Sequence, residues 1–554
     1  MEIGVDGKAA LAMGLSRIKG KAITLAAPKG GEDGAVNCWV NAASAKEVPR
    51  SPLGLALLAG LFMLALTARL WAGPFTIDDG YITFRYARNL AQGLGFVYNA
   101  GEHVLGTTTP LWTLILAVSY ALGFSDLPRA ALCVSTLADA STSLLLYWIA
   151  RSVGWQTRWA ALVAALFAVN PFSVFFAASG MESSLFTFLV VSAAFADLRG
   201  RPAWAGLAAG LASVVRPEGM LMGGIVLGRY LLQRRLPPMR AIFAYLAPIL
   251  PWVAFATWYF GSPIPQSMVA KAAAYRWPWP VNAAYLLLQL GSPAFCWITL
   301  HSTVRSVAPT FVSALVGSTA IVIAGAQARR SLSDLRARPE LWVLSAFAPL
   351  LAASYVLAGL RNVELFDWYL VPLLPFYMLG AVLFARRITP RLPGYVAWLT
   401  AAVALSLWTA LPMSLGQSAD RGPFMPRGVA TWREQAYAVA AQQLETRLKR
   451  AKVVALSEIG TFGYLTEARV LDTVGLISPV ATRFYPVLDC PGDNCVPPDL
   501  IAQERPDYLV SFEVFLQPLH NSQWFDRDYR LLTQVDAASG RGLWVGIYER
   551  RDLP

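Results

Sequence analysis

Charge is scarce in this chain. Only 14% of its 554 residues are Asp, Glu, Lys or Arg, against roughly 25% in soluble domains. With 56% hydrophobic residues and a mean hydropathy of +0.47, a water-soluble globule would have nowhere to put the apolar excess. Histidine and cysteine are also few, three and five. The chain has no Walker pattern and no Rossmann glycine fingerprint, so no nucleotide-binding loop is legible. No basic, aromatic-interleaved stripe stands out, which argues against nucleic acid as a partner. No internal repeat is visible, which removes support for an inverted-repeat transporter. Residues 1–50 are polar and mixed in charge and lack the layout of a secretory signal. They read as a disordered cytoplasmic tail or as an upstream start-site artefact.

What is present is a series of apolar runs of about 20 residues, the length that crosses a bilayer core. In lipid such runs must be helices, because a helix satisfies its own backbone. The net charge of +12 reads mostly as topology, with Lys and Arg gathered in short cytoplasmic loops. Placing the Arg clusters inside predicts about eleven spans with the N-terminus inside. They fall at 52–71, 128–150, 158–176, 183–198, 203–215, 220–232, 241–260, 307–328, 341–360, 368–385 and 393–413. The first doubles as an uncleaved signal anchor. Long outer segments are expected at 72–127 and 261–305, the second with an amphipathic helix after Pro280. The apolar stretch Pro110 to Phe124 within the first is short and is read as lying on the outer membrane surface.

Residues 420–554 change character. Frequent charges and short alternating runs predict a small extracytoplasmic α/β domain behind the transmembrane domain of 51–415. Strands are expected at Val453 to Leu456, Val470 to Asp472, Tyr508 to Ser511 and Leu543 to Tyr548, and helices near 428–449 and 459–465. Cys490 and Cys495 bracket a turn-like Pro491-Gly492-Asp493-Asn494 and would form a disulfide outside the cytoplasm. The rival is a metal site, which needs further ligands, with His520 the only histidine nearby. Cys133 and Cys296 sit in apolar stretches as packing residues, and Cys38 lies in the N-terminal tail.

The densest chemical signal is Asp78-Asp79-Gly80-Tyr81-Ile82-Thr83-Phe84-Arg85-Tyr86-Ala87-Arg88-Asn89. Adjacent carboxylates can divide the work of base and ligand, and Arg85 and Arg88 share a helical face. The plain alternative is a surface helix capped by its own acids. Asn99-Ala100-Gly101 is a turn, followed by Glu102 and His103 beside an aromatic belt. Glu182, Arg216 and Glu218 sit at span ends, where ionisable groups are costly and become functional candidates. A structural ion pair would explain any one of them. Lys271 reads as a phosphate clamp or as an ordinary surface lysine.

Together these residues resemble the GT-C superfamily of membrane glycosyltransferases. The branch most like them holds the terminal arabinofuranosyltransferases of mycobacterial cell walls. The resemblance covers nearly the whole chain after residue 72. It is carried by Asp78 to Ile82, Asn99 to Glu102, Ser179-Gly180-Met181-Glu182-Ser183, Val215 to Gly219, Pro265 to Lys271 and Val474-Gly475-Leu476. Gly80 stands where Ala is usual, and Asn99-Ala100-Gly101 for Asn-Pro-Gly.

The resemblance implies a polyprenyl-phosphate sugar donor, leaning to a pentofuranose such as arabinofuranose. It also implies a cell-envelope glycan or glycoprotein acceptor in the periplasm of a bacterial inner membrane. By this analogy Asp78 is the candidate general base. Asp79 binds hydroxyls or a divalent metal (Mg or Mn), with no cofactor certain. Arg85, Arg88, Arg216 and Lys271 hold the donor phosphate. Glu182 and Glu218 orient sugar hydroxyls or those cations, Glu102 and His103 join the sugar or acceptor site, and the Asp367-Trp368-Tyr369 loop lines it. Glu458, Tyr464 and Asp472 would touch acceptor, or else the C-terminal domain only caps the membrane core. The competing classes are a transporter or flippase of a lipid-linked glycan and a membrane-anchored recognition protein.

Overall fold

The computed structural model describes residues 51–275, 278–280, 282, 338–359, 364–388, 429–448, 452–488, 490, 494–536 and 543–553. The N-terminal tail, the expected spans at 307–328 and 393–413, and the expected amphipathic helix after Pro280 lie outside the described residues. From Pro49 onward the chain forms one compact unit.

Helix α1, Pro52–Ala72, starts where Ser51 accepts from the Gly54 N–H and Pro52 takes the first turn. After it come α2 (Asp78–Ala91), α3 (Pro110–Ala121), α4 (Leu127–Ser152), α5 (Thr157–Ala168), α6 (Pro171–Ala178) and α7 (Ser183–Leu198). Then follow α8 (Pro202–Val215), α9 (Gly219–Leu232), α10 (Met239–Phe260), α11 (Gln266–Ala274), α12 (Trp342–Gly359) and α13 (Leu374–Ile388).

Among the described residues four helical stretches are long and apolar enough to cross a membrane: Pro52–Ala72, Leu127–Ser152, Met239–Phe260 and Pro339–Gly359. The count becomes five if Thr157–Ala168 and Phe172–Ala178, bent by 48°, are one span. The spans expected at 183–198, 203–215 and 220–232 are helices of 16, 14 and 14 residues. At 1.5 Å per residue these are shorter than a core of roughly 30 Å. Residues 368–373 of the expected tenth span are not α-helical: the 3-10 turns Asp367–Tyr369 and Val371–Leu373 precede α13. The expected surface segment at Pro110 is a 12-residue helix.

Leu53 (83% exposed), Phe243 (64%) and Trp258 (79%) face outward, which suits lipid and not water. Inside, Phe167, Phe186, Val190, Phe347 and Leu374 make a closed core. Helix α8 meets α10 at Gly206 and Gly210, where a Cβ would collide with the Ala241 and Tyr245 carbonyls. This small-xxx-small spacing lets the two backbones touch. Arg69 of α1 is fully buried among these helices. It pairs with Asp139 (2.8 Å) and donates to Ser173 Oγ (2.8 Å) and to the Ala65 and Ala168 carbonyls (3.1 and 2.7 Å).

The C-terminal part packs helix α14 (Val429–Leu444) against a five-stranded sheet. Its strands are β1 (Val453–Leu456), β2 (Arg469–Asp472), β3 (Tyr508–Phe512), β4 (Tyr529–Asp536) and β5 (Trp544–Arg550). Their order is β2-β1-β3-β5-β4. The first three are mutually parallel, and β5 and β4 are antiparallel additions. Strand β3 is buried along its whole length, as expected for a central parallel strand. A six-residue helix, α15 (Gly460–Leu465), follows β1. Strand β4 was not among the expected strands. Cys490 and Cys495 are joined by a disulfide. One hydrophobic cluster runs from this domain into the helical part, uniting Ile459, Phe462 and Val474 with Ile82, Tyr86, Phe96 and Tyr98.

Candidate active site

The start of α2 is set by the segment before it. The Phe75 and Ile77 N–H groups donate to the Ala178 and Ser179 carbonyls, each at 3.1 Å. Asp78 and Asp79 then occupy the first helical turn, where free N–H groups favour carboxylates. Neighbouring helical residues point about 100° apart, so the two acids diverge.

Asp79 faces α11. Its Oδ2 lies 3.3 Å from Lys271 Nζ, with the two side chains 32% and 21% exposed, so solvent reaches both. The ammonium also stands 4.7 Å from the Phe366 ring and 5.5 Å from Trp368, within cation–π range. Those two rings are stacked at 4.6 Å. Burial works against the Lys271 charge, but the Asp79 carboxylate prevails and holds the lysine above its usual range.

Next to this pair, Arg216 bridges two acids at the break between α8 and α9. Nη1 meets Glu182 at 3.0 Å, and Nη2 and Nε meet Glu218 at 2.6 and 3.3 Å. The guanidinium lies 5.0 Å from the Tyr369 ring and 5.6 Å from Phe186. Tyr355 donates to the Tyr369 carbonyl (3.0 Å) and reaches Glu218 (3.5 Å). The Asp367–Tyr369 turn therefore serves both cations, Trp368 over Lys271 and Tyr369 over Arg216. Arg216 is enclosed by its carboxylates, with 4% of its side chain exposed; Lys271 is the open one.

Asp78 faces the C-terminal domain. Its two oxygens accept from the Gly460 N–H (2.8 Å) and the Thr461 N–H (2.7 Å). Its own N–H donates to Glu434 of α14 (3.1 Å). Burial pushes the Asp78 carboxyl up, against the pull of the two amides. Burial and then the Asp78 charge push Glu434 up to about 8.

The two arginines expected on a donor phosphate have other partners. Arg85 is 4% exposed and donates to the Gly463, Ala468 and Tyr98 carbonyls (2.7, 2.8 and 2.9 Å), with Asn99 Oδ1 at 3.5 Å. Arg88 donates to the Tyr464 carbonyl (2.8 Å) and lies 5.0 Å from the Tyr464 ring. Asn99 pairs with both backbone groups of Val470, and Glu102 bonds to Arg469 (2.6 Å). His103 stacks on Tyr259 at 4.2 Å.

Apart from His103, on Tyr259, the expected site residues sort into two sets. Asp79, Lys271, Trp368, Tyr369, Arg216, Glu182 and Glu218 gather in one group, with Asp367 opening the turn that carries Trp368 and Tyr369. Asp78, Arg85, Arg88 and Glu102 engage the C-terminal domain. Of the acceptor candidates there, Asp472 accepts from the Val474 and Ile477 amides (2.9 Å each) and orders its own loop, while Glu458 pairs with Arg433. Phe366, Tyr355 and Glu434 were not anticipated. Among the described residues no group of three or more His, Cys, Asp or Glu side chains gathers as a metal site. The Asp78 oxygens accept from two backbone amides and Asp79 pairs with Lys271.

The fold is similar to that of a solved membrane protein, ArnT. It superposes on ArnT from Cupriavidus metallidurans in its undecaprenyl-phosphate-bound crystal structure with a TM-score of 0.53. That match has 14% identity and covers 90% of this chain and 98% of ArnT. The apo form gives 0.54, with 93% and 98% covered. In sequence the chain is arabinofuranosyltransferase-like. It is 29% identical over 251 residues to a terminal β-(1→2)-arabinofuranosyltransferase of Mycobacterium tuberculosis, covering 42% of this chain and 40% of that protein. A Corynebacterium glutamicum protein of the same name is 28% identical over 256 residues, covering 38% and 36%. The match thus spans about two fifths of the length of these curated relatives. A family model described as a domain of unknown function (DUF8728) matches residues 429–548.

Proposed function

We propose that this protein transfers a sugar from a polyprenyl-phosphate donor to a glycan or glycoprotein of the cell envelope. The active site would lie on the extracytoplasmic face of a bacterial inner membrane. The observation that carries the reading is the Asp79–Lys271 pair, open to solvent beneath Phe366 and Trp368. It sits in a fold shared with a protein crystallised with undecaprenyl phosphate. The named relatives lean the sugar toward a pentofuranose such as arabinofuranose.

The chemistry needs a base for the acceptor hydroxyl and a cation for the leaving phosphate. Lys271 is the accessible cation. When the donor phosphate draws the ammonium toward itself, the Asp79 carboxylate is released from Lys271 and is free to accept a proton. Asp79 then takes the acceptor hydroxyl proton as that oxygen bonds to the anomeric carbon. The bond from that carbon to the phosphate oxygen breaks, and polyprenyl phosphate leaves with its charge met by Lys271. Glu182 and Glu218 hold Arg216 in place, and the Trp368 and Tyr369 rings wall the sugar. The base is assigned to Asp79 because it faces Lys271 at the solvent-open side, whereas the Asp78 carboxylate faces the Gly460 and Thr461 amides of the C-terminal domain.

Transfer from a panel of radiolabelled polyprenyl phosphosugars to membrane-extract acceptor tests this. Purified protein should transfer from at least one donor. Removing a general base typically costs about 10²- to 10⁴-fold in rate, so Asp79→Asn should fall by that much. Lys271→Ala should raise the donor KM by about 10- to 100-fold, the worth of a charged hydrogen bond. Absence of transfer from every donor to a competent acceptor would defeat the reading.

A further inference from the structure

We propose that Asp78 is a positioning residue and not a reacting one. It is the built-in ligand of the C-terminal domain's strand-end crevice, and with Arg85 and Arg88 it clamps the segment Gly460–Ala468 onto the membrane core. The docking follows from geometry alone. Its consequence for sugar transfer rests on the reading given under Proposed function.

In open α/β sheets the site for ligands lies outside the carboxyl ends of parallel strands, where the strand order reverses. Here β1 lies between β2 and β3, both parallel to it, so that site is the turn after β1, Ser457-Glu458-Ile459-Gly460. The group found there is the Asp78 carboxylate, one oxygen on each of two successive amides. Gly460 is required for the approach, because a Cβ there would run into the Asp78 carbonyl. Glu434, from the helix on the other side, closes over the Asp78 N–H.

The other end of the segment is held by opposite charge. Arg85 takes the Gly463 and Ala468 carbonyls and Arg88 takes the Tyr464 carbonyl. Tyr98 donates to the Ile459 carbonyl. Helix α2 thus offers an anion to amides at one end of the segment and cations to carbonyls at the other, the complementarity that backbone dipoles favour. Reversed register would set like signs together, so the clamp fixes orientation as well as contact. Because Asp79 is the next residue, the docked domain also fixes the helical turn that aims Asp79 at Lys271.

Full-length protein in lipid nanodiscs tests this through amide exchange in peptides covering 458–468, read beside transfer kinetics. Asp78→Asn places an amide N–H against one of two N–H donors, and Gly460→Ala removes the space. Both should speed exchange there by about tenfold or more while peptides over β3 stay protected. Both should lower kcat, with the acid limb of the pH profile of residual transfer unmoved. Asp79→Asn should leave exchange at the wild-type rate and remove transfer. Arg88→Gln, a milder lesion at the far end, should speed exchange at 462–468 first. Asp78→Asn that is inactive with wild-type exchange, or that has lost the acid limb, would show that Asp78 reacts and overturn the proposal. Wild-type exchange in Gly460→Ala, or full transfer with the clamp opened, would overturn it as well. If no donor supports transfer, the exchange result still decides the docking, so failure of the enzymatic reading is distinguishable from failure of the clamp.

Discussion

At the residue scale, one acidic pair divides its labour by helix geometry. Asp78 and Asp79 are chemically alike and adjacent, yet one meets two amides and the other a lysine. Asp79, Lys271, Arg216, Glu182 and Glu218 were all legible as candidates, although a capped helix, a structural ion pair or a surface lysine would have explained each of them alone. What spacing could not give was the partner. Arg85 meets a carbonyl 378 positions away, and nothing near Arg85 in the chain says so. Tyr355 lies within an apolar run with nothing beside it in the sequence to mark it, and its hydroxyl meets the Tyr369 carbonyl. A buried ion pair away from this site offers a clean energetic test. Breaking such a pair on one side costs about 3–5 kcal/mol. Arg69→Met should therefore lower the thermal midpoint in detergent by several degrees, while Arg69→Met with Asp139→Leu should regain most of the loss. Equal loss in both variants would show that the packing of Arg69 matters more than its charge.

At the scale of elements, the interface between α2, α14 and α15 has a pH sense. The Glu434 carboxyl, faced by Asp78, Arg433 and Tyr81, is raised from 4.5 to about 8, first by burial and then by the Asp78 charge. Between those values the docked protein keeps a proton that the separated chain has lost. Stability of the contact therefore falls as pH climbs through that window. Amide exchange at 458–468, corrected for intrinsic rate, should accelerate between pH 6 and pH 9 in the wild type and lose that dependence in Glu434→Gln. A flat wild-type profile would contradict it. Sequence periodicity located α14, β1, β2, β3 and β5 to within a few residues. It missed β4, Tyr529–Asp536, whose burial alternates only at its ends. The helices expected at 203–215 and 220–232 coincide with α8 and α9 and turn at Arg216-Pro217-Glu218-Gly219, but at 14 residues each they are shorter than a bilayer core, a length that hydropathy does not weigh.

At the scale of the whole molecule, the helical part and the α/β domain share one hydrophobic cluster and the Asp78–Arg85–Arg88 clamp. The C-terminal domain packs directly against the helical part and is not a tethered accessory. That was left open in the sequence, where the domain's charge pattern announced only that it was water-facing. The account predicts that the two acids of α2 fail differently. Its most direct test is transfer of labelled sugar from polyprenyl phosphosugars by wild type, Asp79→Asn and Asp78→Asn at equal yield. The prediction is wild-type transfer from at least one donor and a loss of about 10²- to 10⁴-fold in Asp79→Asn. Residual transfer in Asp78→Asn should titrate as the wild type does. Undiminished transfer in Asp79→Asn would contradict it.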